Sequence, residues 1–119
     1  MGLYMALIYS PADYEETGEL RREVMAEYVH FEREAALAGV LKAGHELAAV
    51  DAAVTIRSKG GRGGMRILSD GPFAETKEVL GGYFLLECDS RDEAIAWASR
   101  IPAAWRGAVE VRPIVDGGE

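Results

Sequence analysis

At 119 residues, 49% of them apolar and 28% charged, the chain has the size and composition of one globular domain, and residues 1–119 are expected to fold as a single unit. Thirteen Lys and Arg against 20 Asp and Glu leave a net charge of -7, which repels phosphate backbones and argues against direct nucleic-acid binding. No apolar run approaches the ~20 residues of a membrane helix. The apolar start has no basic residue ahead of it, as a secretory leader would, and the lone Cys88 has no intrachain partner, so a cytoplasmic protein in reducing surroundings is expected.

Leu3 to Tyr9 is apolar at nearly every position, the pattern of a strand covered on both faces. Pro11, Ala12 and Asp13 end it. A helix is predicted from about Thr17 to Ala38, with Leu20, Val24, Tyr28, Phe31, Ala35 and Ala38 at steps of three and four on one face, and Gly39 supplies its left-handed stop. Lys42, Gly44 and His45 read as an irregular segment, with Leu41 and Leu47 tucked beneath.

Val54 to Arg57 alternates apolar and polar residues as a half-buried strand does, and the glycines at 60, 61, 63 and 64 lead through a hairpin into a strand at Met65 to Ser69. Asp70, Gly71 and Pro72 force a turn. After an arm from Phe73 to Leu80, Gly81 and Gly82 introduce Tyr83 to Cys88, the second strand that is apolar on both sides. Ser90 and Glu93 have capping-box spacing at the start of a helix that buries Ala94, Ile95, Ala98 and Ile101 and stops at Pro102. Val109, Val111 and Val115 alternate with polar residues in a closing strand, giving the order β-α-β-β-β-α-β. Trp97 and Trp105 are expected to pack beneath the second helix.

Two helices cover one face of a mainly antiparallel sheet, and so short a chain has little left for the other. Leu3, Met5, Leu7, Phe84 and Leu86 then ask for a second cover, and a homodimer with sheets face to face is the simplest. The alternative is that the loop from Ala43 to Asp51 folds over them.

Residues 70–83 read Asp-Gly-Pro-Phe-Ala-Glu-Thr-Lys-Glu and then Val-Leu-Gly-Gly-Tyr. This string resembles the signature of the DGPF branch of YCII-related proteins, and the opening strand, the helix from Ser90 to Ala98 and the closing Glu110 to Pro113 sit where that family has matching elements. The resemblance implies an α+β, ferredoxin-like unit, an antiparallel sheet with two main helices on one face, pairing into a dimeric α+β barrel. It also implies a small-molecule ligand, with isomerases, lyases and oxygenases in the wider superfamily, and an association of the DGPF branch with sigma-factor pathways. Whether the chain is an enzyme stays open: the two readings are acid-base catalysis and a non-catalytic binding or regulatory module.

The candidate general base is Asp70, at a strand end beside a turn where partial burial would raise its pKa; its other reading is a turn residue. Glu75 could supply a second carboxylate, and Lys77 or Arg57 could steady an anion formed on the substrate. The opposing reading of this arm is a solvated charged loop. His30, flanked by Glu27 and Glu34 one turn away on either side, is the helical histidine candidate, against a plain surface role. Counting back from Gly39 places Tyr28 nearer the position at which wider relatives carry a helical His, and Tyr28 and Tyr83 are candidate substrate contacts. No cofactor is expected, and two scattered histidines make a poor metal site. The basic Gly60–Gly64 loop could hold an anion, or be a mobile hairpin tip. Cys88, ending an apolar strand, is read as an inert thiol.

Overall fold

A computed structural model describes residues 1–14, 16–74 and 76–115. The elements are β1 (Gly2–Pro11), α1 (Gly18–Leu37), β2 (Leu41–Glu46), β3 (Val54–Lys59), β4 (Met65–Asp70), β5 (Glu78–Cys88), α2 (Arg91–Ala98), α3 (Ala103–Arg106) and β6 (Ala108–Pro113), with one 3-10 turn at Val50–Ala52. Four strands form an antiparallel sheet in the order β2-β5-β1-β6. With the β3–β4 hairpin set aside, this is the ferredoxin-like order: two split βαβ units interlock, each leaving room for a strand of the other. The hairpin is an insertion that forms its own two-stranded ribbon.

Local chemistry explains the helices. Thr17 caps α1 by accepting the Leu20 N–H at 3.1 Å, and Gly39, at φ 74°, takes the left-handed turn that ends it. Ser90 accepts the Glu93 N–H at 3.1 Å, while the Glu93 carboxylate reaches back to the Asp89 N–H at 3.2 Å. The capping box is thus present, shifted by one residue on its return arm.

The core lies between this helix layer and one face of the sheet. Val24, Phe31 and Ala35 of α1 point down; Ala6 and Ile8 of β1, Phe84, Leu86 and Cys88 of β5 and Val109 and Val111 of β6 point up. Phe31 packs on Phe84 with ring centroids 5.0 Å apart and on Trp97 at 6.5 Å. The opposite face carries the other half of each alternation, Leu3, Met5, Leu7 and Leu85 beside Glu87, Glu110 and Arg112. No helix covers that face among the described residues, and Leu3 is exposed there.

Several expectations need correction. Leu41 to Glu46 is an edge strand and not an irregular segment; it pairs with β5, placing Gly44 opposite Phe84 and His45 opposite Tyr83. Any Cβ on Gly44 would collide with the Phe84 ring, so the glycine that made this segment look like a loop is what lets it join the sheet. The two main helices stand, but α2 ends at Ala98 with Ser99 as its cap, short of Pro102, which instead opens a third, one-turn helix, α3. Leu47, Ile95 and Trp105, expected inside, are exposed, whereas Leu41 and Trp97 pack on the core. Cys88 is buried as expected, and burial pushes its thiol pKa up, with Glu93 and Asp89 adding to the rise.

Leu86 is fully buried at the centre of the packing. Leu86→Ala should therefore lower unfolding free energy by about 2–5 kcal/mol, read from urea denaturation by circular dichroism, with the denaturant slope unchanged.

Candidate ligand-binding cleft

Ferredoxin-like packing leaves a gap where the first turns of α1 lift away from the sheet. The gap is a cleft of about 320 Å³. Its floor is Ile8, Gly44, Gly82 and Phe84, its roof the stripe Arg21, Val24, Met25, Tyr28 and Glu32 of α1, and its rim Glu46 to Val50. Ala103 and Arg106 of α3 close one end. The lining is mainly apolar with a few polar groups, the usual make-up of a small-molecule site.

Arg21, Glu46 and Tyr28 stand out among the ionisable groups of the lining, which also include Glu16, Glu32, His45 and Arg106. The Arg21 guanidinium grips Glu46 with two parallel hydrogen bonds, Nη1 to Oε2 at 2.7 Å and Nη2 to Oε1 at 2.9 Å, spanning the mouth between α1 and β2. Hydrogen bonding from Arg21 lowers the Glu46 pKa and burial partly opposes this, so Glu46 is a carboxylate at neutral pH. The same bonds raise Arg21 further above its already high value. Tyr28 is half-buried under the roof, and its pKa is pushed up to about 12, chiefly by burial and further by the negative charge of Glu46. Its phenol stays a hydrogen-bond donor through the physiological range. Behind it, Arg106 holds Glu27 through Nε and Nη2 at 2.8 and 2.9 Å, tying α3 to α1; this pairing lowers the Glu27 pKa.

The candidate residues read from sequence fall in different places. Tyr28 is in the roof of the cleft. Tyr83 borders it through its position on β5, but strand alternation turns its ring away from the Phe84 side, where the hydroxyl lies 2.8 Å from His45 Nδ1. His30 is exposed on α1, 3.8 Å from Glu34, in keeping with a solvated face. Asp70 ends β4, exposed, beside a turn in which the Gly71 N–H donates to the Ala53 carbonyl at 2.7 Å. Arg57 lies on the ribbon, its guanidinium 4.8 Å over the Phe73 ring. Lys77 is exposed at a shallow depression beside Tyr9, Glu78 and Val109. Glu75 lies outside the described residues. Of the described members of this set, Tyr28 and Tyr83 reach the cleft, while Asp70, His30, Arg57 and Lys77 do not line it.

Arg21 and Glu46 escaped the sequence reading. Arg21 carried a signal, since it stands seven residues before Tyr28 and hence on the same helical stripe. Glu46 carried none, because the strand that presents it went unread. Among the described residues there is no cluster of three metal-ligating side chains, and no helix is long and apolar enough to cross a membrane.

The comparisons with known proteins agree with this architecture. The YCII-related domain is recognised over residues 2–117, nearly the whole chain. The chain belongs to the YCII-related family. It is 37% identical over 118 residues to an uncharacterised protein of Rhizobium meliloti (strain 1021), covering 94% of this chain and 91% of that one.

Two titrations test the electrostatics of this YCII-related cleft. Tyr28 has a raised folded pKa, so the stability it contributes is complete below the unfolded value of 10.0 and is lost as pH rises through about 12. Ultraviolet difference titration should show one tyrosine ionising near the upper limit, absent in Tyr28→Phe. Glu46 has the opposite sign: its folded pKa is depressed, so its contribution holds above the unfolded value of 4.5 and is lost as pH falls through the folded one. By carboxyl NMR, Arg21→Gln should return the Glu46 midpoint toward 4.5; an unmoved midpoint would show that Arg21 is not its partner in solution.

Proposed function

We propose that the cleft binds a small organic anion or carbonyl compound and carries acid-base chemistry of the isomerase or lyase type. The observation that supports it is the convergence of a neutral, half-buried phenol, Tyr28, and an Arg21–Glu46 pair on one apolar-floored cleft. In this reading the substrate's carboxylate or carbonyl oxygen displaces Glu46 on the Arg21 guanidinium, with the Tyr28 phenol donating to the same oxygen. The Glu46 carboxylate, freed from the pairing that lowers its pKa, takes the proton from the carbon next to the carbonyl and returns it to the product. Proton removal is thus assigned to Glu46 in the cleft instead of to Asp70 on the ribbon.

A screen of small carboxylic and keto acids followed by protein-observed NMR tests the reading. Shifts are expected at Tyr28, Gly44 and Glu46. Tyr28→Phe and Arg21→Gln should each weaken binding roughly tenfold, the usual cost of removing a charge-assisted or buried hydrogen bond, with Asp70→Asn leaving it unchanged. Loss of binding in Asp70→Asn with Tyr28→Phe intact would move the site to the ribbon and end this assignment.

A homodimer belongs to the same proposal. Leu3, Met5, Leu7 and Leu85 form a continuous apolar strip on the uncovered face of the sheet, and a second copy of that face is its simplest cover. Light scattering at micromolar concentration should give twice the chain mass of 12.9 kDa, and Leu7→Glu should return the monomer.

A further inference from the structure

The β3–β4 ribbon differs from the rest of the chain in both surroundings and charge. Every residue of the two strands except Thr55 is exposed, and Val54, Ile56 and Leu68 keep 54%, 62% and 54% of their surface open. The register places these three on one face together with Ser58, Arg66 and, opposite Val54 at the foot of the ribbon, Asp70. An isolated two-stranded ribbon is marginal in water, and an open apolar face weakens it further. From Val54 to Asp70 the chain has four basic residues, Arg57, Lys59, Arg62 and Arg66, and one acidic residue, Asp70 at the foot of the ribbon, which leaves nine basic against 19 acidic residues elsewhere.

We propose that this ribbon is an arm that docks on the body of a second copy of the chain, seating Val54, Ile56 and Leu68 against it and setting Arg62 and Arg66 among its carboxylates. Charge selects the occupant: apart from its own ribbon each copy is strongly acidic, so a basic arm meets an attractive field on its twin. The same acidic body repels nucleic acid, the other natural target of a basic ribbon. Reach agrees, since six residues per strand span about 20 Å and the whole molecule, ribbon included, is 19 Å through its thinnest axis. By twofold symmetry each copy offers one arm and receives one. The inference rests on the self-association proposed above but assigns it a second surface.

Unlabelled and 15N-labelled proteins, mixed and coupled with a zero-length carbodiimide, report the contact directly. Heavy-light peptides joining Lys59 of one copy to an Asp or Glu of the other are expected. Arg62→Glu combined with Arg66→Glu should weaken self-association at least roughly tenfold at low salt, with far-ultraviolet dichroism unchanged, and the difference from wild type should shrink near 1 M salt, where screening is about 3 Å. A dimer lacking heavy-light Lys59 links, or one that the charge reversal does not weaken, overturns the arm while leaving the open-face pairing intact. A monomer throughout overturns both. Weakening by the ribbon variant with no effect of Leu7→Glu keeps the arm and removes the open-face pairing.

Discussion

Phe84 sets the spacing between helix layer and sheet, and the rest of the molecule is arranged around it. Its ring meets Phe31 at 5.0 Å and Tyr28 at 6.2 Å from above, and lies over Gly44 at the side. The first contact holds the middle of α1 down. The second leaves the Tyr28 phenol beside the cleft and desolvated enough to stay protonated. The third requires glycine in β2, and so fixes which short segment can serve as the edge strand. Core packing and candidate chemistry therefore share one side chain, because the floor of the cleft is the margin of the hydrophobic core.

A single helix layer on a four-stranded sheet has one sheltered face and one open one. The numbers describe a flat object: a radius of gyration of 16.6 Å, against about 13 to 14 Å for a compact chain of this length, and principal extents of 47, 45 and 19 Å. The ribbon forms a sheet of its own apart from the four-stranded one, and one face of the larger sheet is bare. Both concentrate apolar side chains that no described element covers, which is why the proposed self-association and the proposed arm draw on the same geometry.

Much of the fold was legible because it follows local rules. The stripe from Leu20 to Ala35 identified α1, Ser90 and Glu93 the start of α2, the glycine run the ribbon tip, and unbroken apolar runs the two central strands, β1 and β5. Two elements escaped. β2 has no apolar alternation, since its strand identity comes from β5 alongside it; α3 is one turn held by the Arg106–Glu27 clamp rather than by a periodic pattern. The candidate site was legible only in Tyr28 and, through its place on β5, Tyr83. Asp70 was read from its place at a strand end beside a turn and His30 from its place on the helix; both are exposed and neither lines the cleft, and exposure is a property that position along the chain does not carry.

What the amino-acid order alone determined is therefore the class of fold, the central strands, the two longer helices and the acidic balance of the whole. These depend on neighbours three or four residues apart, on alternation and on composition, all of which act before the chain closes on itself. Only tertiary structure decided that Arg21 would meet Glu46 across 25 positions, that Gly44 would lie under a ring 40 residues away, and that the ribbon would stand clear of the sheet. Those pairings arise from the crossing of the split βαβ units, and no local pattern encodes a distance between elements that come together only when the sheet forms.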